Sequence, residues 1–209
     1  MSLPDLYLEE VARQRGYALV CGCDEAGAGP LMGPVYAGAV ILAPDCELPG
    51  VNDSKKLTEK KREALFGLIT ERAMAWAVAS VSAAEIDETD ILSARIRAMQ
   101  LAIDALPIRP DYALIDGNRN HGKSAAITIP CETVLSGDSR SLSIAAASIL
   151  AKVSRDRYVE QVIDKQYPQY LFAQHKGYGT KLHYAMLDRY GPCPEHRMSF
   201  LKKWKERQV

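Results

Sequence analysis

The sequence predicts an α/β domain built on a mixed β-sheet with helices packed against it. Two observations carry that prediction. Three β-rich apolar runs come early in the chain, and later runs alternate with helix-patterned stretches, an order that suits a mixed sheet. Two of the runs also end on carboxylates: Val20-Cys21-Gly22-Cys23-Asp24-Glu25 on an acid pair, and Tyr112-Ala113-Leu114-Ile115-Asp116 on a single acid. Acids at a strand tip forgo apolar burial there, so they serve something other than packing.

Residues 3–14 read as a short amphipathic helix, with Ser2 or Pro4 near its start and Gly16 past its end. Residues 18–23 and 35–42 read as strands divided by a Gly/Pro stretch. Residues 51–57 form a polar loop, and Thr58 is the predicted N-cap of a helix reaching about residue 73. A third strand is expected over 76–81. Ile91, Leu92, Ile96, Met99, Ile103 and Leu106 recur at helical spacing until Pro107 and Pro110 close the run. Residues 112–115 follow as a buried strand, with 126–129 the candidate fifth. Residues 141–158 predict an Ala/Ser-rich helix in which Ala145, Ala146 and Ala147 permit close packing. Shorter helices are expected near 159–167 and 180–190, with a basic one from about Ser199 to the end. A chain of 209 residues without repeats or a low-complexity linker suits one domain over 1–209, with a helical C-terminal segment from about 180.

Lys+Arg and Asp+Glu balance at 26 each, so a polyanion would be held by local patches rather than a global field. The N-terminus lacks the charged head and apolar core of a secretory signal, and no apolar run approaches the ~18–20 residues that span a bilayer. A cytoplasmic protein without membrane attachment is expected. Cys21, Cys23, Cys46, Cys131 and Cys193 are odd in number and scattered, unlike a disulfide framework. Cys21 and Cys23 could share a strand face, but no second Cys or His pair stands at zinc-like spacing.

A strand–helix–strand crossover sets parallel strands side by side with their C-terminal ends together. If residues 18–23 and 112–115 pair in this way, Asp24, Glu25 and Asp116 meet at one edge. Asp138, in Ser136-Gly137-Asp138-Ser139-Arg140, is a fourth candidate, although alone it reads as an N-terminal helix residue. Asp116-Gly117 alone would suit a turn; Asp24-Glu25 favours no turn type. Clustered carboxylates repel, and Mg²⁺ or Mn²⁺ relieves that repulsion with hard oxygen ligands. Two such ions can clamp both oxygens of a phosphoryl displacement. The stretch Gly27-Ala28-Gly29-Pro30-Leu31-Met32-Gly33 misses a dinucleotide fingerprint, because it leads into a strand rather than a helix. Glycines here instead allow backbone amides to approach a substrate closely.

Together these residues resemble a known family. Cys23-Asp24-Glu25-Ala26-Gly27-Ala28-Gly29-Pro30-Leu31-Met32-Gly33-Pro34-Val35 is similar to the opening motif of bacterial type 2 ribonuclease H, ribonuclease HII. Asp53-Ser54-Lys55-Lys56-Leu57, Ile115-Asp116-Gly117, Gly137-Asp138, the helix Ile144 through Asp156, His175-Lys176-Gly177-Tyr178-Gly179-Thr180 and His196-Arg197-Met198-Ser199-Phe200 fit the same family in order. The resemblance implies a ribonuclease H-like mixed five-stranded sheet flanked by helices, with a helical C-terminal segment. It implies that Asp24, Glu25, Asp116 and Asp138 are the catalytic, metal-binding acids, using two Mn²⁺ or Mg²⁺ ions. The implied substrates are RNA/DNA hybrids and duplex DNA carrying single ribonucleotides, cut 5′ of the ribonucleotide to leave 3′-hydroxyl and 5′-phosphate ends, the first step of ribonucleotide removal from the genome.

Substrate contacts implied are the Gly27, Ala28 and Gly29 backbone at the 2′-hydroxyl, Lys55 and Lys56 near phosphates, and Tyr178 stacked on a sugar. Arg197, Lys202, Lys203, Lys205 and Arg207 offer a basic patch for duplex phosphates. One departure is Ala28, where the family usually has Arg; a phosphate contact worth roughly 1.5–3 kcal/mol is thereby missing. Two other readings stand beside the ribonuclease: a weakened hybrid-binding homologue, and another two-metal nuclease of related fold. Nothing in the pattern requires more than a monomer, and the tail after Phe200 carries no recognisable docking motif for a sliding clamp or polymerase.

Overall fold

A computed structural model describes residues 3–207. Its sheet has the order β3-β2-β1-β4-β5, with β1 Val20–Ala26, β2 Val35–Ile41, β3 Ala75–Val81, β4 Tyr112–Asp116 and β5 Cys131–Val134. The first three strands are antiparallel neighbours, and β4 and β5 add in parallel to β1, so the sheet is mixed as expected. The helices are α1 Tyr7–Gln14, α2 Glu59–Arg72, α3 Ala83–Glu88, α4 Ile91–Asp104, α5 Leu142–Tyr158, α6 Asp164–Gln166, α7 Phe172–His175, α8 Lys181–Tyr190 and α9 Lys202–Glu206.

Local chemistry sets most helix starts. Thr58, Asp90, Ser141 and Thr180 each accept a backbone N–H three residues on, capping α2, α4, α5 and α8. Helix α1 begins later than expected because Asp5 is extended, bridging to Ser141, while its carboxylate accepts the Tyr7 N–H. The Ser2 start and the end of the basic C-terminal helix at residues 208–209 lie outside the described residues. Helix α3, capped by Ser82, was not expected. Residues 159–167 continue α5 through a π-type stretch, Val159–Ile163, into α6.

Two strand expectations need correction. Strand β1 starts at Val20, because the Ala18 and Leu19 N–H groups are taken by Asp111, and it runs on to Ala26 against β2. Asp24 and Glu25 therefore stand inside the strand rather than beyond it. The fifth strand is Cys131–Val134, not residues 126–129. Ile127 and Ile129 instead pack side chains on the core, and the Thr128 N–H donates to Gln100 Oε1. Their apolar alternation reflects burial; the segment's β pairing is limited to an isolated antiparallel bridge between Ala126 and His121, away from the five-stranded sheet.

The sheet is covered on both faces. Cys21, Cys23, Ala39 and Ile41 pack with Ala98, Met99, Ala102 and Ile103 of α4. On the other face Val40 and Leu42 pack with Ala145, Ala146, Ala147, Ile149 and Leu150 of α5. Gly22 and Gly38 let α5 lie directly on the strands. A Cβ at Gly22 would collide with the Ser143 and Ile144 backbone, and one at Gly38 would lie 2.5 Å from the Ala147 carbonyl oxygen. Gly38→Ala is accordingly expected to destabilise by about 3 kcal/mol, since backbone cannot yield as a side chain can. Urea unfolding checks this, and an unchanged midpoint would contradict the packing.

The C-terminal helices close over the glycine loop. Leu31 N–H donates to the Gly177 carbonyl, Gly33 N–H to Glu195 and Arg197 N–H to Leu31, each at 2.8 Å. The loop between β1 and β2 is thus stitched to residues 177–197.

Candidate active site

Alternation along β1 sends Cys21, Cys23 and Glu25 toward α4, and Gly22 and Asp24 toward α5. Cys23 pairs with Ile115 in the parallel register, so the next step sets Asp24 beside Asp116 at the carboxyl ends of β1 and β4. A one-turn 3₁₀ helix, Gly137–Ser139, brings Asp138 to the same edge ahead of α5. It is anchored by the Gly137 N–H, which donates to Asp116 Oδ1 at 2.7 Å. Asp138 does not cap α5, a role taken by Ser141. Asp24 and Asp138 are both buried, at 5% and 7% exposure.

The electrostatics record the crowding. Burial, then Glu25, Asp116 and Asp138, raise the Asp24 pKa well above the ordinary carboxylate value. Burial, then Asp53 and Asp116, raise that of Asp138, with Lys55 opposing. Glu25 is also raised by burial, although Arg95 pulls the other way from 2.6 Å. For Lys55, burial lowers the pKa but Asp24, Asp138, Asp53 and Asp116 outweigh it, so the net shift is upward. Lys55 therefore faces the acids, whereas Lys56 pairs with Asp53 at 3.7 Å.

The donor set fits a divalent cation. All are hard oxygens, they repel one another, and Glu25 Oε2 is buried with no protein partner. Among the described residues no three His, Cys, Asp or Glu side chains already stand as a ligand shell. Protein groups engage each acid: Arg95 holds Glu25, the Glu25 N–H donates to Asp24, the Gly137 N–H donates to Asp116, and Ser139 donates to Asp138.

Beside the acids, the glycine loop is braced from below by two buried arginines. Arg197 donates to the carbonyls of Gly33 at 2.9 Å, Ala28 at 3.0 Å, Pro30 at 2.9 Å and Gly27 at 2.7 Å. Arg155 donates to the carbonyls of Pro34, Met32 and Lys176. Gly27 has φ +91°, and a Cβ there would collide with the Arg155 side chain, so only glycine serves. Among the described residues the Ala28 and Gly29 N–H groups donate to no protein acceptor. Tyr178, 43% exposed, brings its ring to 3.9 Å from where a Gly29 Cβ would stand. The Lys152 ammonium lies 5.7 Å from the centre of that ring.

The family model described as Ribonuclease HII matches residues 21–204, the span that holds every one of these groups. The chain belongs to the ribonuclease HII family. It is 54% identical to the Ribonuclease HII of Dechloromonas aromatica (strain RCB), over 87% of this chain and 90% of the relative. The crystal structure of ribonuclease H2 from Pyrococcus horikoshii OT3 superposes with a TM-score of 0.73 at 26% identity, covering 91% of this chain and 98% of that one. Bst-RNase HIII, solved in complex with Mn²⁺, shares the fold with a TM-score of 0.66 at 19% identity, over 86% of this chain and 65% of that one. Ribonuclease HII proteins are hydrolytic endoribonucleases, and the mixed five-stranded sheet flanked by helices is the one this family carries.

Against this ribonuclease HII structure, one reading of the basic C-terminal patch is corrected. Arg197 is fully buried and cannot meet a phosphate; its partners are loop carbonyls, which desolvation of a guanidinium demands. Lys202, Lys203, Lys205 and Arg207 are exposed. Sequence reasoning missed Arg155, Arg197, Arg95 and Asp53 as site-shaping residues. Asp53, Arg155 and Arg197 stood inside the family motif blocks without a bracing role assigned to them, and only Arg95 lay outside every block.

Proposed function

We propose that this ribonuclease HII cuts RNA paired with DNA, including at a single ribonucleotide embedded in duplex DNA, on the 5′ side of that ribonucleotide. The products would carry 3′-hydroxyl and 5′-phosphate ends, making this the entry step of ribonucleotide excision. What supports the reading above all is the acid cluster lying beside a loop with two unused amides. Asp24, Glu25, Asp116 and Asp138 would hold Mg²⁺ or Mn²⁺, and a bound pair of such ions supplies an activated water and neutralises charge on the phosphate.

The chain's own groups do the rest. With the loop carbonyls tied to Arg197, the Ala28 and Gly29 N–H groups are free to donate to a ribose 2′-hydroxyl, which deoxyribose lacks. Tyr178 brings its ring close to the same point, where a sugar can stack. Lys55 faces the acids and would neutralise a phosphate lying between them, with Lys56 on the solvent side. Residues 1–209 act as one catalytic domain, monomeric and cytoplasmic; no helix among the described residues is long and apolar enough to cross a membrane.

The test is a duplex with one ribonucleotide, beside an RNA/DNA hybrid and an all-DNA control, in Mg²⁺ or Mn²⁺. Cleavage of the first two with a polymerase-extendable 3′ end is expected. A cut all-DNA control would instead indicate a general two-metal nuclease, and no cleavage a binding protein. Ala28→Arg restores the guanidinium the family usually carries, so kcat/KM on the one-ribonucleotide duplex is expected to rise roughly ten- to a hundredfold while the preference for ribonucleotide persists. No gain would remove Ala28 as the cause of any weakness.

A further inference from the structure

Tyr178 sits between Gly177 and Gly179, the two residues least able to hold a backbone in place. Its carbonyl accepts the Thr180 N–H at 2.8 Å within the loop, and further tethers come from the packed histidines. Its N–H donates to the His175 carbonyl at 2.9 Å, and its own carbonyl lies 3.0 Å from His183 Nδ1. His183 Nε2 in turn faces His196 Nε2 at 3.0 Å, and the Cys193 N–H reaches His196 Nδ1 at 2.9 Å. His175, His183 and His196 are all buried, three of the four histidines in the chain.

These partners settle where each proton lies. Burial lowers both His183 and His196 to a pKa of about 4, so each is neutral at pH 7 and carries one N–H. A carbonyl only accepts, so His183 must donate from Nδ1 to Tyr178. Its Nε2 is then bare and needs a donor, which is His196 Nε2–H. That leaves His196 Nδ1 as acceptor for the Cys193 N–H. The alternative, in which His196 Nδ1 donates to the Cys193 carbonyl at 3.3 Å, would set two bare nitrogens against each other at 3.0 Å. A metal ion does not explain the pair: among the described residues no three ligands surround such a point.

We propose that the His183–His196 pair is a tautomer-locked relay of positioning residues that fixes the Tyr178 peptide, and so holds the tyrosine ring against Gly29 for ribonucleotide selection. This rests on the reading of Tyr178 as a substrate contact. The relay carries a directional demand from Cys193 through two rings to one carbonyl, and it explains why buried imidazoles stand where apolar residues would pack as well. His175, stacked on His183 with centroids 4.4 Å apart, keeps the second tether in register.

Two measurements test it. Long-range ¹H–¹⁵N NMR on the ¹⁵N-labelled full chain at pH 7 should show His183 protonated on Nδ1 and His196 on Nε2. The opposite tautomer at His183, or a charged ring at either, overturns the relay whatever the substrate. For function, His183→Leu should raise KM on the one-ribonucleotide duplex roughly tenfold, with kcat less affected and Mn²⁺ affinity unchanged. His183→Asn, whose amide can still donate to the Tyr178 carbonyl, should recover most of that loss. Equal loss in both variants, or no loss in either, overturns the inference. Should His183→Leu fail to fold, His196→Leu against His196→Gln repeats the comparison one ring further on. Tyr178→Ala separates the two levels: if it leaves selectivity intact, the substrate reading fails while the NMR result stands; if it alone is impaired, the relay fails.

Discussion

Asp24→Asn is expected to reduce turnover on a one-ribonucleotide duplex by at least roughly a thousandfold, the scale on which metal-assisted phosphoryl transfer depends on its ligands. The structure gives the reason. Asp24 stands beside Asp116 on the neighbouring parallel strand, is 5% exposed, and carries a pKa raised by burial and by Glu25, Asp116 and Asp138. An amide of the same shape removes a repelling charge and, on the proposed function, a hard ligand together. The folded protein without divalent ions should therefore melt at least as high as the parent, yet gain less from added Mn²⁺. Thermal melts with and without Mn²⁺, read beside single-turnover rates, separate loss of chemistry from loss of fold. Near-normal turnover would remove Asp24 from the metal site.

The second large effect belongs to a residue that touches no reacting group. Arg197→Met is expected to cost about 4 kcal/mol, because four loop carbonyls lose their buried donor while the charge they solvate disappears. For a chain of this length that corresponds to a fall in melting temperature of about 8–16 °C. Well below that melt, the folded fraction should still bind Mn²⁺, since the acids rest on β1, β4 and the turn before α5. Its discrimination between ribonucleotide and all-DNA duplexes should fall, because the Ala28 and Gly29 amides would no longer be aimed. Arg197→Lys should be only partly better, a single ammonium being unable to span carbonyls that a planar guanidinium meets at once. Parental selectivity in a folded Arg197→Met protein would break the link between brace and loop.

These two residues also mark how far the sequence could be read. Asp24 announced itself locally: an acid pair closing an apolar run has few structural uses. Thr58 and the alanines of α5 were equally legible, because capping and small-residue packing leave signals within a few positions. Strand β5 was misplaced because Ile127 and Ile129 alternate like a strand while packing on the core. Arg197 was read as surface charge because the carbonyls that claim it lie 164 to 170 residues earlier. The same distance hid Arg155, whose partners Met32 and Pro34 lie 123 and 121 residues away. A guanidinium's burial is decided by what folds around it, and no window along the chain contains that.

The stitching of the glycine loop to residues 177–197 has a consequence for the order in which the enzyme comes into being. Contacts separated by most of the chain close late, since loop-closure entropy must be met before they form. A ribosome-bound chain can complete the sheet and assemble its acids once α5 has emerged. It cannot brace the loop until Arg197 has also emerged, well after the acids. On the proposed function, the ability to tell ribose from deoxyribose is then acquired later than the acid cluster, and a chain truncated before Arg197 would carry the acids without it.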